Sequence, residues 1–133
     1  MSEKFLLLAE DNPNDVFLTE RALKKCGYMN RMVIVSNGQE AIDYLFALDP
    51  GDQPAVILLD LKLPFIDGLE VLRQIRSTER IRLLPVIVLS ASVDEKDRQE
   101  CLRLGANDFQ CKPIRFDEFV LFINQICHIW LSE

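Results

Sequence analysis

The fold is decided by the stretch VILLDLKLP at residues 56–64. Its first four residues are apolar and rich in branched side chains, which is typical of a strand buried on both faces of a parallel sheet. Asp60 stands where this strand ends, and a loop containing Pro64 and Gly68 follows. Open α/β sheets gather ligands and chemistry outside the carboxyl ends of their strands, so this position suits a functional group. Taken alone, Asp60 could equally be an ordinary polar residue that begins a turn.

The same pattern recurs along the rest of the chain. Predicted strands lie at residues 5–9, 32–35, 56–60, 85–90 and 108–111, the last of them short and less apolar, and a predicted helix follows each of them. Strands that alternate with helices predict βαβ units and a parallel sheet covered on both faces. We therefore expect one α/β domain over residues 1–133, with five strands, five helices and nothing left over for an output module.

Composition narrows the classes of function. A formal net charge of −6 argues against nucleic acid or an anionic membrane as a direct partner, because both call for basic patches. No apolar run approaches the ~18 residues of a spanning helix, and no signal-peptide pattern opens the chain. The four cysteines are widely spaced beside a single histidine, which indicates free thiols rather than a zinc site. We therefore expect a cytoplasmic protein.

Acidic side chains end two of the predicted strands. Glu10 and Asp11 follow the first strand, and Asp60 ends the third. If these strands are neighbours, the three carboxylates converge, and like charges so close are costly unless a cation neutralises them. Oxygen ligands without histidine indicate Mg²⁺ rather than zinc. The alternative is that Glu10 and Asp11 are merely the polar start of a loop.

A hydroxyl and a cation end the fourth and fifth strands. Ser90 ends the fourth, and Lys112 follows the fifth just before Pro113. Separately, the serine could form a turn and the lysine could belong to a structural ion pair. Together with Asp60 and a metal ion they suit phosphoryl transfer to a carboxylate. Asp60 would attack the phosphorus, while Mg²⁺ and Lys112 offset charge on the phosphoryl oxygens.

This combination resembles the receiver domain of two-component response regulators, and the resemblance covers essentially the whole chain. The residues that carry it are Glu10-Asp11, Asp60, Ser90 and Lys112-Pro113. The loop LPFIDG at residues 63–68 is also similar to the loop that follows the phosphorylated aspartate in that family. AEDNPNDV at residues 9–16 and IWL at residues 129–131 resemble one subgroup, the small stand-alone regulators that serve bacterial phytochrome-type kinases.

The resemblance implies a flavodoxin-like (CheY-like) doubly wound fold with strand order 2-1-3-4-5. It implies that Asp60 is the phospho-acceptor and that Asp11 is the main Mg²⁺ carboxylate, with Glu10 acting largely through water. The backbone carbonyl of Lys62 would complete the metal shell. The resemblance also implies a cis Lys112–Pro113 peptide bond that aims the lysine into the pocket.

The implied function is a switch rather than an enzyme, because the protein accepts a phosphoryl group from a histidine kinase and assists its own phosphorylation and dephosphorylation. The phosphoryl group would pull Ser90 inward, and Phe109, at the position of the family's switch aromatic, would follow into the vacated space. The face formed by the fourth helix, fifth strand and fifth helix would then change. The Lys62 side chain occupies a position that affects how fast the phosphoryl group is lost in this family.

The final helix predicts a further partner. Beyond its inward stripe it carries Val120, Leu121, Phe122 and Ile129, and a helix apolar on most sides is usually covered on most sides. We expect a homodimer through the face of the fourth and fifth helices. With no output module predicted, the signal would leave by contact with an unidentified protein target, by phosphate relay to another protein or by competition for phosphate.

Three other functions can be weighed against this one. An aspartyl-phosphate phosphatase needs a second aspartate two residues after the nucleophile, where this chain has Lys62. A Rossmann nucleotide-binding protein needs G-x-G-x-x-G after its first strand, where residues 10–14 read EDNPN. A phosphorylation-independent adaptor of the same fold remains open, although such domains tend to lose pocket residues and this chain keeps them.

Overall fold

The computed structural model describes residues 3–92 and 94–132, which form five strands alternating with five α-helices. The strands are β1 (Leu6–Ala9), β2 (Met32–Val35), β3 (Val56–Asp60), β4 (Val86–Ser90) and β5 (Asp108–Cys111). The helices are α1 (Pro13–Lys25), α2 (Gly38–Ala47), α3 (Gly68–Ser77), α4 (Glu95–Arg103) and α5 (Phe116–Trp130). A short 3₁₀ turn at Pro50–Asp52 precedes β3.

The five strands pair in parallel in the order β2-β1-β3-β4-β5, which confirms the predicted flavodoxin-like topology. β3 is the central strand, and all five of its residues are buried. β1 and β4 flank it and are buried along their whole length too, whereas the edge strands β2 and β5 are partly exposed. The three strands with neighbours on both sides are thus fully buried, whereas β2 has an equally apolar sequence but lies at an edge of the sheet.

The core consists of two layers, one on each face of the sheet. Alternate strand residues such as Leu7 and Leu59 point to the layer that also contains the inward faces of α2 and α3. Their neighbours Leu8 and Leu58 point to the layer formed with α1 and α5. Each central strand thus contributes side chains to both layers, which explains why it shows no alternation of apolar and polar residues.

Short polar side chains cap the first turns of four of the helices that follow the strands. Asn12, Asn37, Asp67 and Asp94 each accept a hydrogen bond from a backbone N–H two or three residues farther along the chain. This satisfies backbone donors that have no partner inside the helix. The caps fix where the chain leaves the sheet, and so they fix the loops that surround the carboxyl ends of the strands.

Helix α5 is less exposed on its apolar sides than the sequence suggests. Phe122, which was expected outside the inward stripe, is buried, and its ring meets that of Phe119 edge to face with centroids 6.3 Å apart. Val120 packs against the same layer, whereas Leu121 and Ile129 remain 65% and 62% exposed. Contact with α1 accounts for the extra burial. Within the described ranges, no helix is long and apolar enough to cross a membrane.

One arginine joins the loops at the amino-terminal edge of the sheet. Arg76, near the end of α3, uses all three guanidinium nitrogens, whose acceptors are the carbonyls of Arg82, Leu84 and Gly105 and the side chain of Asn107, at 2.8–3.0 Å. Asn107 Oδ1 also accepts the backbone N–H of Val86 at 2.8 Å. The planar fork of donors therefore holds the α3–β4 and α4–β5 connections together.

We expect Arg76→Ala to lower the free energy of unfolding by about 2 kcal/mol, because it removes four hydrogen bonds between separate loops, of which the one to the Leu84 carbonyl is part-buried. Urea denaturation followed by circular dichroism would measure the change. Arg73 on the same helix is the matched control, since its exposed guanidinium group pairs with Glu70 at the surface. Arg73→Ala should cost much less, because an ion pair in open solvent contributes little to stability, and equal losses for the two variants would contradict the role given to Arg76.

Candidate functional site

The predicted acidic residues meet at the carboxyl ends of β1 and β3. The two strands are neighbours in register, with Ala9 beside Leu59, so the residues that follow lie at the same level. Glu10, Asp11 and Asp60 each place a carboxylate oxygen within 4.8 Å of the others. Glu10 and Asp60 are buried at 2% and 5% exposure, and Asp11 is exposed. The sheet therefore converts three separated residues into one cluster of negative charge.

Lys112 reaches this cluster from the end of β5. Its Nζ lies 2.7 Å from Glu10 Oε1, 2.9 Å from Asp15 Oδ2 and 3.3 Å from Asp60 Oδ2. The backbone N–H of Lys112 donates to the carbonyl of Ser90 at 2.7 Å, which extends the β4–β5 pairing up to the lysine itself. One cation thus binds three carboxylates that come from separate parts of the chain.

The predicted cis bond before Pro113 is wrong for this structure, because no cis peptide bond occurs among the described residues. An X–Pro bond favours trans by roughly 0.5–1 kcal/mol unless its surroundings demand the other isomer. Here the lysine stem reaches the carboxylates from the trans backbone, so the contact does not require the cis form.

The electrostatics of the cluster show an excess of negative charge. Burial raises the pKa of the Glu10 carboxyl to about 7, and the charge of Asp60 adds to this effect while the hydrogen bond with Lys112 opposes it. Burial alone would lower the pKa of Lys112, but its bonds to Glu10 and Asp15 and the attraction of Asp60 raise it above its usual range. The excess itself follows from the number of charged groups, since one ammonium group faces the four carboxylates of Glu10, Asp11, Asp15 and Asp60.

The donor set fits a hard divalent cation. Glu10, Asp11 and Asp60 offer oxygen atoms only, and such ligands favour Mg²⁺, Ca²⁺ or Mn²⁺ over zinc. A double positive charge at this position would stabilise the ionised form of Glu10, whose pKa is raised without it. These three residues would hold the ion, and the contribution of the Lys62 carbonyl stays a prediction.

The loop after β3 folds closely over the end of the strand. The backbone N–H of Lys62 donates to Asp60 Oδ1 at 3.2 Å, which orients that carboxylate. The N–H of Gly68 donates to the carbonyl of Leu61, and a Cβ atom on Gly68 would lie 2.5 Å from the carbonyl oxygen of Asp60. The site therefore requires glycine there, which agrees with the LPFIDG pattern.

The two residues expected to act as a switch are both buried. Ser90 is 1% exposed, and its hydroxyl donates to the carbonyl of Ser92 at 2.9 Å. Phe109, 7% exposed, packs in the core layer shared with α2 and α3. The structure thus places both side chains inside the domain on neighbouring strands, where Val88 pairs with Phe109.

Sequence reasoning missed Asp15 as a member of the site. In the sequence Asp15 is simply an acidic residue near the start of a helix, and a carboxylate in the first turn of a helix is commonplace. Its contact with Lys112 joins residues 97 positions apart, which only the folded chain reveals. The available signal was one more carboxylate close in sequence to Glu10 and Asp11.

Comparison with known proteins agrees with this geometry. Residues 6–124 match the family described as "Response regulator receiver domain". Among curated proteins, the "Probable methanogenesis regulatory protein FilR2" of Methanothrix harundinacea is 36% identical over 96% of this chain and 83% of its own length. The family match alone covers most of the chain.

Solved structures of phytochrome response regulators are also close. The phosphorylated cyanobacterial phytochrome response regulator RcpA superimposes with a TM-score of 0.89 at 34% identity, covering 98% of this chain and 96% of that one. The Mn²⁺-bound form of the response regulator Rcp1, a protein of Synechocystis, gives a TM-score of 0.86 at 30% identity, covering 97% and 95%. On the family match, the fold and these relatives, the chain belongs to the response regulator receiver domain family.

Proposed function

We propose that this receiver belongs to a response regulator and takes a phosphoryl group from a histidine kinase onto Asp60. The observation that carries the proposal is the contact of Asp60 with Lys112 beside Glu10 and Asp11. An oxygen of Asp60 attacks the phosphorus of the phosphohistidine as the phosphorus–nitrogen bond breaks. The imidazole leaves with the electron pair of that bond and takes up a proton. Water later cleaves the acyl phosphate and restores the carboxylate.

The chain's own residues have distinct roles in this proposal. The Lys62 N–H and Lys112 hold Asp60 in place, and Lys112 also offsets charge that develops on the phosphoryl oxygens. Mg²⁺, bound by Glu10, Asp11 and Asp60, would supply further positive charge to the phosphoryl group. Ser90 turns from the Ser92 carbonyl to a phosphoryl oxygen, and Phe109 moves into the space it leaves.

The kinase is proposed to be of the phytochrome type, and the support is the similarity to RcpA and Rcp1 over nearly the full length of each chain. All four cysteines are free, which suits a reducing compartment such as the cytoplasm. The protein is proposed to act by a change of surface and not by turnover of a substrate, with an unidentified protein as its target.

A receiver-fold adaptor that binds without phosphorylation is the second candidate. Its support is the low exposure of the acceptor, since Asp60 is 5% exposed. Against it, the structure brings all the carboxylates and the lysine into one pocket, an arrangement that an adaptor does not need.

Phosphorylation of Asp60 is tested by intact mass after incubation with acetyl phosphate and Mg²⁺. The wild type should gain one phosphoryl group, because the donor is small enough to act without a kinase. Asp60→Asn should gain none, and chelation of Mg²⁺ before the reaction should prevent the gain in the wild type. If neither protein is modified, the adaptor replaces the proposed function.

Lys62→Ala should shorten the lifetime of the phosphoryl group by roughly twofold to tenfold, about 0.4–1.4 kcal/mol in the barrier to hydrolysis. The exposed lysine side chain stands two residues after the acceptor, where a long cation can shield the acyl phosphate from water. Loss of phosphate from purified phosphoprotein would be followed by mass against time. Lys25→Ala, which removes an exposed lysine from the end of α1, should leave the lifetime unchanged, and identical lifetimes for all three proteins would contradict this role.

Homodimerisation through the α4–α5 face is proposed on the exposure of Leu121 and Ile129. These two side chains lie about two helical turns apart on α5. Leu121 also lines a groove of about 510 Å³, which exposed Cys111 on the edge strand β5 lines as well. A second copy would cover both the apolar surface and the unpaired side of β5.

Sedimentation velocity at high micromolar concentration tests this dimer. The wild type should sediment as a dimer, and Leu121→Glu should shift it toward the monomer because a charge would be buried at the interface. Leu83 is 81% exposed in the α3–β4 loop, so Leu83→Glu is the matched control and should not alter association. A wild type that is monomeric with and without phosphorylation would rule out the dimer.

A further inference from the structure

Lys112 competes with any metal ion for the carboxylates of the pocket. Two of its three partners, Glu10 and Asp60, belong to the group of oxygens that can hold a divalent cation. When that cation binds, two positive groups share the same two carboxylates, and their mutual repulsion opposes metal binding. The protein needs both, since a lysine that left the pocket could not contact a phosphoryl group on Asp60.

Asp15 offers the lysine an acceptor outside the metal group. Its Oδ2 lies 2.9 Å from Lys112 Nζ, whereas its carboxylate is not among the clustered oxygens of Glu10, Asp11 and Asp60. The contact is sheltered, with the lysine side chain 14% exposed and the aspartate side chain 26% exposed. It is therefore stronger than an ion pair in open solvent.

The position of Asp15 is fixed by the start of α1. Asn12 caps the helix by accepting the N–H of Asn14, Pro13 occupies the first turn, and the carbonyl of Asp15 accepts the hydroxyl of buried Thr19 at 2.7 Å. An acidic residue in the first turn also stabilises a helix by itself. A purely structural role would thus show in the stability of the fold but would not depend on Lys112.

We propose that Asp15 is a positioning residue that keeps Lys112 in the pocket while a divalent cation occupies Glu10, Asp11 and Asp60. The inference rests on the proposed function, since it assumes that this receiver binds a metal. Asp15 draws the ammonium group away from the shared carboxylates, which lowers the repulsion between lysine and metal. Without the charge of Asp15, Lys112 would be held by Glu10 and Asp60 alone and would displace the ion more effectively.

The test is a double-mutant cycle on Mg²⁺ affinity, measured by calorimetry on the unphosphorylated protein at fixed ionic strength. Asp15→Asn in the wild type should weaken Mg²⁺ binding by about fivefold or more, within the usual coupling between groups in contact. In a Lys112→Met background the same change should weaken binding by about twofold or less, because the competing cation is gone. Thermal unfolding without metal would check that each variant is folded.

Two further variants serve as controls. Asp15→Glu keeps the charge and should retain most of the wild-type affinity. Asp43→Asn removes a charge from α2, where the Asp43 carboxylate accepts a hydrogen bond from Gln39 at the surface. This change should leave the affinity for Mg²⁺ unchanged.

The outcomes separate this inference from the proposed function. Equal losses from Asp15→Asn with and without Lys112, or no loss in either background, would overturn the positioning role while metal binding stands. Absence of Mg²⁺ binding in the wild type would overturn the inference together with the metal use of the proposed function. A loss that depends on Lys112 supports the inference.

Discussion

The site depends on one interaction, the binding of the Lys112 ammonium group by carboxylates from the end of β1, the end of β3 and the start of α1. Gathering so much negative charge at a partly buried point costs free energy, and one lysine facing four carboxylates offsets only part of that charge. The remaining charge is what makes the pocket suitable for a metal ion. The same charge imbalance thus underlies both the metal preference and the proposed chemistry at Asp60.

The central strands and the loops at their ends keep these carboxylates close together despite their mutual repulsion. Strands β1, β3 and β4 are buried on both faces and paired on both sides, so their ends have little freedom to move apart and relieve the repulsion. Side-chain caps start the following helices, and Gly68 lets the β3–α3 loop lie against the Asp60 backbone. Arg76 joins the loops at the opposite, amino-terminal edge of the sheet. The paired strands and hydrogen-bonded loops therefore hold the carboxylates of the cluster in place.

The surface away from the pocket is organised differently. Helix α4 contributes a single buried side chain, Cys101, while α5 places most of its apolar residues against α1 and the sheet. The face that includes β5 and the exposed side of α5 is thus held by fewer contacts than the centre of the sheet. A change at Ser90 and Phe109 would reach this face through β4 and β5, which pair directly.

The sequence by itself determined the strands, the topology class and the identity of Glu10, Asp11, Asp60, Ser90 and Lys112 as candidates. Buried parallel strands require unbroken apolar runs, and the polar residue that ends each run marks the functional edge. Only the tertiary structure decided which carboxylates share the lysine, because the Asp15–Lys112 contact spans 97 positions and depends on side-chain direction. It also decided that Phe122 is buried, because packing against α1 cannot be read from the sequence of α5 alone. The trans form of the Lys112–Pro113 bond was likewise visible only in the structure, because the local sequence is compatible with both isomers.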